Sequence, residues 1–538
     1  MLTVPLLPRT LSGRLPLALL IPSAALVALC LTPMVYVFVR AFGGDATRAF
    51  GMIFSTTSAA LLGRSLALVA VVTVLSLAIS LVLAFLTTVT DMPARKFWTV
   101  VSVAPFAIPC YVGATALLAA ASPSGLLGIV RTRFGFEEPL SVQGFVPAAL
   151  VLTAFTYPYA YLPLRAGFRR LDRSMIEAAR SLGRSRGVTI RRVVLPQLVP
   201  AMLVGSLLVA LYTLSEFGAV SLLRYDTFTR VIYQQYQSAF DRTHAAVSSA
   251  MLIVVVLIML LGFELLTPKH AQSSAGVSTK SKPVRVSLGV WRYPSVLIPL
   301  GLALVSVVGP IATLAVWFSR ALGKERTGSS IAELTSSSAF LGLGAALVCV
   351  VCAVPVAYLT VRYRRLVVLA AERLTYIGFA LPGIVVALGL AFFALFVKEW
   401  PGFGWLYQSL PMLLAAYVIL YIPQAIGSSR AGFARVPRSV EEAARSLGRA
   451  PARVFARITL PLAGPSMLAG AMLVFISTIK ELPATLLLAP TGTRTLATTV
   501  WRHMEEAEYA LVAAPSLMLI ALSSVAVALI VAREKLTK

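Results

Sequence analysis

The chain has 538 residues, 47 Lys and Arg against 21 Asp and Glu, 58% hydrophobic and 13% charged residues, so a net charge of +26 sits on a very apolar polymer. Globular soluble domains carry about 25% charge and roughly 45–50% apolar residues, so a mean hydropathy of +0.86 excludes a soluble enzyme and a disordered chain and points to many membrane spans. Four cysteines (Cys30, Cys110, Cys349, Cys352), all in apolar segments, are too few for a disulfide scaffold, and the Cys349/Cys352 pair inside a span reads as packing.

A stretch of about 20 nearly uncharged residues crosses roughly 30 Å of hydrocarbon. Twelve such stretches occur, at 17–39, 65–88, 98–121, 143–164, 199–222, 245–267, 294–318, 338–361, 367–396, 410–428, 463–488 and 509–532. The first has too long an apolar run for a signal peptide and no small-residue cleavage site. Pro109 and Pro382 read as kinks or ends of spanning helices, and Trp98, Trp317, Trp400 and Trp501, near span ends, as interface anchors.

Nine arginines lie between 165 and 192 and seven between 430 and 457. Cytoplasmic loops carry such an excess, which orients both segments and, with alternating spans, places both termini in the cytoplasm. The loops on the other side, 122–142 and 223–243, mix acids with bases. The positive charge is therefore topological, and no nucleic-acid partner is expected; lipid is the surrounding partner.

The most informative feature is a duplication. Residues 165–196 read RAGFRRLDRSMIEAARSLGRSRGVTIRRVVLP and residues 430–461 read RAGFARVPRSVEEAARSLGRAPARVFARITLP, at a constant offset of 265 that extends from Pro158/Pro423 to Glu216/Glu481. The chain then divides into a first six-helix half (1–268), a polar Ser/Lys-rich cytoplasmic linker (269–292) and a second six-helix half (293–538). Six spans per half make the repeats parallel, and a substrate path is expected between them. The fold class is an all-α membrane protein of twelve transmembrane helices in two parallel repeats.

Each repeated loop holds an S-x-x-E, Ser174/Glu177 and Ser439/Glu442, which predicts a capping box at the start of a short helix. Ala178, Ala179 and Gly183, like Ala443, Ala444 and Gly448, give that helix a face of small residues suited to close approach. Leu195-Pro196 and Leu460-Pro461 mark the turn into the next span. Past that span, Glu216 and Glu481 lie deep in apolar sequence, where an ionisable group costs roughly 2.5–3.5 kcal/mol on insertion scales, so both are translocation-path candidates. The alternative is that they sit at helix ends, satisfied by water or backbone amides.

The spacing from Glu177 to Pro196 with Val193, and from Glu442 to Pro461 with Ile458, resembles the EAA loop of binding-protein-dependent ABC importer permeases. That resemblance implies that Glu177, Ala178, Ala179, Gly183, Leu195 and Pro196, with Glu442, Ala443, Ala444, Gly448, Leu460 and Pro461, form two coupling helices docking on a homodimeric cytoplasmic ATPase. No phosphate-binding G-x-x-x-x-G-K-[ST] occurs in the chain, so ATP and Mg belong to that partner and this subunit is not an enzyme. The stretches EFGAVSLLRYDTFTRVIYQQYQSAFDR (216–242) and KELPATLLLAPTGTRTLATTVW (480–501) resemble ferric-iron importer permeases. This implies a bacterial inner-membrane location, an extracytoplasmic iron-binding protein docking at 223–243 and 489–508, and no tightly bound metal or cofactor in this chain. Fused permeases for thiamine and other small solutes share the EAA loops and stay open as alternatives. A secondary ion-coupled carrier would also have twelve spans in two halves, but has no use for a repeated ATPase-docking loop. A membrane enzyme would need a catalytic constellation, and none is visible.

Overall fold

A computed structural model describes residues 16–135, 141–238, 242–266, 286–322, 328–363 and 365–536. The long apolar runs fold as helices, because only a helix satisfies every backbone polar group within one segment when water is absent. The first half contains α1 (Leu17–Phe42), α2 (Thr56–Val89), α3 (Cys110–Ala121), α4 (Phe145–Arg169), α5 (Arg173–Ser181), α6 (Leu195–Ser215), α7 (Gly218–Leu222), α8 (Phe228–Ser238) and α9 (Thr243–Leu266). The second contains α10 (Gly309–Ala321), α11 (Gly328–Arg362), α12 (Leu366–Ala380), α13 (Gly383–Val397), α14 (Leu410–Arg435), α15 (Arg438–Ser446), α16 (Leu460–Ile479), α17 (Pro483–Leu488), α18 (Leu496–Glu505) and α19 (Tyr509–Leu536).

Among the described residues, eleven helices are long and apolar enough to cross a membrane, and the pair α12/α13 makes a twelfth if its two arms count as one. Those arms meet at 106°, so the straight span expected over 367–396 is broken. Pro382 explains the break: it lacks an N–H, holds Leu381 extended (ψ 138°) and itself starts α13 from φ −59°, ψ 140°. Pro109 acts alike in the first half, starting α3 from φ −62°, ψ 145°. The span expected over 98–121 is accordingly two short helical turns followed by α3.

The chain divides into two compact units that do not coincide with the two halves. One holds Thr56–Arg230 and Val254–Arg320; the other holds α1, Val231–Ile253 and the second half from Ala321 onward. In the first unit α2, α4 and α6 bury Leu83, Tyr157, Tyr161, Leu164 and Leu198, and the Tyr161 hydroxyl meets Thr87 Oγ1 at 2.9 Å. α6 approaches α4 closely at Gly205, where a Cβ would lie 2.9 Å from Ala160 Cα. The second unit repeats this contact between α16 and α14: a Cβ on Gly470 would lie 2.6 Å from Ser428 Cβ. Small residues at these crossings let helices pack where lipid supplies no hydrophobic drive.

The first helix of each half packs in the unit built mainly from the other half. In the second unit Pro33 of α1 sets its carbonyl 2.3 Å from where a Gly389 Cβ on α13 would be, and the Tyr36 and Phe393 rings meet at 5.1 Å. In the first unit Trp317 of α10 donates to the Ala119 carbonyl (3.3 Å) and Arg320 to that of Ser124 (2.7 Å). The linker expected at 269–292 lies outside the described residues up to 285. Its last segment is tied down: Val286 N–H donates to Val89 O at 2.8 Å and Leu288 N–H to Asp91 Oδ1 at 2.9 Å. The Leu288 amide holds the Asp91 carboxyl below the usual carboxylate range.

Candidate coupling and substrate-path sites

α5 and α15 are nine-residue helices that follow α4 and α14 after short turns. The expected capping boxes do not form. α5 begins at Arg173 and α15 at Arg438, so Ser174 and Ser439 fall inside the first turn. Asp172 takes the cap of α5, its Oδ1 accepting from the Ser174 amide (2.9 Å) and hydroxyl (2.7 Å). α15 starts behind Pro437, which presets an extended backbone (φ −61°, ψ 139°) and supplies no side-chain cap.

The Ser174 hydroxyl and amide hold the Asp172 carboxyl below its usual range. A depressed folded pKa contributes stability that is present above the unfolded value and lost as pH falls through the folded one. Acidification below the ordinary carboxylate range should therefore fray α5 before α15. Hydrogen exchange of purified permease in lipid discs measures this as faster exchange at 173–181 than at 438–446 in acid and a smaller contrast at neutral pH. Asp172→Asn should remove the pH dependence.

Both helices stop at a glycine in the left-handed region, Gly183 (φ 74°) and Gly448 (φ 75°). Gly183 N–H donates to Arg180 O (3.0 Å) and Arg184 N–H to Ala179 O (3.2 Å), and Gly448 and Arg449 repeat the pattern to Arg445 and Ala444 at 2.9 and 3.2 Å. This is the Schellman closure, in which glycine avoids the steric cost of positive φ. The repeated glycines thus end the two candidate coupling helices. Sequence reading credits them with lack of bulk and, by resemblance, with a place in the docking surface, but not with closing the helix.

Glu177 and Ala178, like Glu442 and Ala443, are exposed, whereas Ala179 is half-buried and Ala444 buried. Only part of the expected small-residue face is therefore open to a partner. Leu182 and Leu447, next to the glycines, are missed by sequence reading: they are 80% and 82% exposed, at matching positions of the two repeats.

After each of α5 and α15 comes a π-helical turn, Ile190–Val194 and Phe455–Thr459, closed by Leu195 N–H to Ile190 O and Leu460 N–H to Phe455 O. The prolines of the two Leu-Pro pairs follow directly. Pro196 and Pro461 cannot donate and crowd the carbonyl four residues back, so the preceding amide reaches five back instead. A third π turn, Leu304–Val308, precedes Gly309-Pro310 in the same way.

Glu216 directly follows α6, and Glu481 follows α16 after the single residue Lys480. In each, Oε1 accepts the amide three residues on, from Ala219 at 3.0 Å and Ala484 at 3.1 Å, so both carboxylates cap the short helices α7 and α17. Glu216 is buried; Glu481 also accepts the Tyr421 hydroxyl (2.5 Å) at Oε2 and borders a small cavity lined by Leu341 and Ile479 as well as by Tyr417, Thr478, Thr485 and Thr495. Gly383 leaves room for it, since a Cβ there would stand 2.4 Å from Glu481 Oε1. The neighbourhoods differ between halves: Tyr159 and Tyr212 rings lie 4.9 Å apart, while Gln424 and Ser477 at the matching positions share a 3.1 Å hydrogen bond. The helix-end alternative thus describes the bonding of both acids, each held by a backbone amide three residues on.

Within the segment 489–508, His503 Nδ1 meets Glu508 Oε2 at 2.7 Å and Glu506 Oε2 at 4.0 Å, at the end of α18. Trp501, expected at the membrane interface, is instead buried, edge-on to Tyr233 at 6.2 Å.

The sequence pattern of the family described as "Binding-protein-dependent transport system inner membrane component" matches residues 91–270 and again 350–537, one match per half. The Fe(3+)-transport system permease protein FbpB 2 of Haemophilus influenzae is 33% identical over 512 residues, 93% of this chain and 95% of the relative. The probable ABC transporter permease protein y4fN of Sinorhizobium fredii is 26% identical over 417 residues, 73% of this chain and 72% of its own. The spermidine/putrescine transport system permease protein PotB of Escherichia coli is 31% identical over 144 residues, 25% of this chain and 48% of its own. With both halves matched, the chain belongs to the family of inner membrane components of binding-protein-dependent transport systems, and is a multi-pass permease subunit made of two such repeats.

Proposed function

We propose that this permease imports ferric iron across a bacterial inner membrane, with both termini in the cytoplasm. The observation that carries its coupling is the pair of like-shaped helices α5 and α15, each presenting an exposed Glu-Ala step and an almost fully exposed leucine, Leu182 or Leu447. Two copies of a separate ATPase, which bind ATP and Mg, dock there, and their closure is passed through the π turns into α6 and α16. The similarity over 93% of the chain to a permease named for Fe(3+) transport supports the substrate. An extracytoplasmic iron-binding protein delivers the ion to the outer loops around α8 and α18. Glu216 and Glu481 line the path as oxygen donors, which suit a hard cation. The chain's own work is gating: substrate and nucleotide shift its conformations only by binding one better than another.

Labelled Fe3+ uptake by iron-starved cells lacking this gene tests the proposal. Wild type restores uptake; the correctly inserted Glu177→Ala/Glu442→Ala variant restores at least about tenfold less, as expected for removing interface anchors. Iron uptake unaffected by the deletion, with labelled thiamine uptake lost, overturns the substrate. Full activity of the double variant overturns the role of the glutamates in docking.

A further inference from the structure

The two candidate coupling helices are joined to their spans differently. In the first unit the buried part of the junction is apolar, with Val89 at the end of α2, Phe168, Leu171 and Val194 in one cluster, and its polar ties are exposed: Gln197 of α6 accepts the Asp172 amide at 3.2 Å and donates to Met175 Sδ at 3.9 Å. In the second, the same register carries a polar network. Leu86-Thr87-Thr88-Val89 matches Leu359-Thr360-Val361-Arg362, a correspondence borne out by the ring pairs Phe85–Phe168 (6.2 Å) and Tyr358–Phe433 (5.6 Å). By the repeat offset Ile176 matches Glu441 and Val194 matches Thr459.

Arg362 and Glu441 form a buried ion pair, each side chain only 5% exposed, with Nη2 donating to Oε1 at 2.7 Å. The same guanidinium nitrogen donates to the Val436 carbonyl at 3.2 Å, and Thr459 Oγ1 donates to Glu441 Oε1 at 2.9 Å. Arg438 returns a bond from α15 to the Arg362 carbonyl at 2.6 Å. One carboxylate thus ties together the end of α11, the turn after α14, the coupling helix α15 and the π turn ahead of α16.

Burying two charges needs good geometry to break even, and a hydrophobic replacement of similar volume often folds as well or better. The first half demonstrates that an apolar joint is available at this position. What a hydrogen-bonded ion pair adds is direction: an apolar contact tolerates sliding, whereas these bonds hold one register. We infer that Glu441 and Arg362 are positioning residues that lock α15, α11 and the π turn into one rigid lever, so that the second coupling helix transmits the ATPase stroke in fixed register while the first is seated on a compliant apolar joint. This rests on the reading that α15 docks on the ATPase.

The test uses the complete transporter, permease with ATPase and binding protein, in proteoliposomes, and reads iron imported per ATP hydrolysed. Arg362→Val/Glu441→Ile/Thr459→Val puts the first half's residues into the second. This variant should insert, bind the ATPase and hydrolyse ATP, while its iron-to-ATP ratio falls about tenfold, within the usual range of a coupling free energy. Glu441→Gln, which keeps shape and removes the charge, should lower the same ratio and make hydrolysis less dependent on the loaded binding protein. A wild-type ratio in the triple variant makes the ion pair a structural filler and overturns the inference. Failure of the ATPase to bind even the wild-type permease would overturn the docking reading instead, and is seen in the same co-purification step.

Discussion

Gly470→Leu is expected to leave little assembled permease. Gly470 faces α14, where even a Cβ would stand 2.6 Å from Ser428 Cβ and 2.9 Å from its Oγ, so a full isobutyl group forces α16 off its partner. Overpacking a close-packed interior costs about 1–3 kcal/mol, and a site with no slack belongs at or above the top of that range. Neither residue can yield cheaply, because Ser428 is fixed by its own bond to the Gln424 carbonyl at 2.8 Å. The control is on the same helix: Gly464 has no atom within 4 Å of its absent Cβ, so Gly464→Leu should be tolerated. Inserted protein and the midpoint of thermal unfolding in detergent, compared for the two variants, check the prediction. Equal midpoints would refute the tight crossing.

The second large effect is expected at the ends of α5 and α15, the proposed coupling helices. Gly183→Val/Gly448→Val should insert normally and bind the ATPase at least about tenfold more weakly, the factor that corresponds to roughly 1.4 kcal/mol. No atom lies within 4 Å of either glycine's absent Cβ, so steric crowding plays no part. The cost is in the backbone: left-handed φ carries about 1–2 kcal/mol for an ordinary L-residue and more for a β-branched one. Relief comes by unwinding the Schellman closure, which displaces Leu182 and Leu447 from their places beside it. Asparagine tolerates the left-handed region, so Gly183→Asn/Gly448→Asn should bind nearly as wild type. ATPase binding to permease in lipid discs, measured for both pairs, separates conformation from bulk; equal weakening by valine and asparagine would count against it.

The spans, the duplication and the repeated loops with their short helices are legible in the sequence because each depends on residues in linear order: apolar length, arginine density and a constant offset. The capping boxes are not, since Asp172 and Pro437 compete for the same helix starts and win through better local backbone geometry. The break at Pro382 is half legible, as a kink but not as a 106° turn. Glu441 is hidden for a different reason. Beside Glu442 on a charged loop it reads as one more surface acid, and only packing reveals that the helix turns it inward toward Arg362. The bonding of Glu216 and Glu481 to amides three residues on is visible as a motif only once the helix ends are known. Which apolar faces meet is not written in hydropathy, so the exchange of first helices between the halves leaves no trace in it.

That exchange sets an order of events for a chain emerging from a ribosome. The unit built from α2 to α6 includes α10, which is translated only after the whole of the first half and the linker. Until it arrives, Ala119 and Ser124 lack the partners that Trp317 and Arg320 bring them. α1, in turn, leaves the insertion machinery first and waits for α13 before Tyr36 finds Phe393. Each unit is completed by a helix from the other half, so the joined chain keeps each early helix close to the late one it packs with, and fusion of two permeases into one polypeptide becomes a device for timing as much as for stoichiometry.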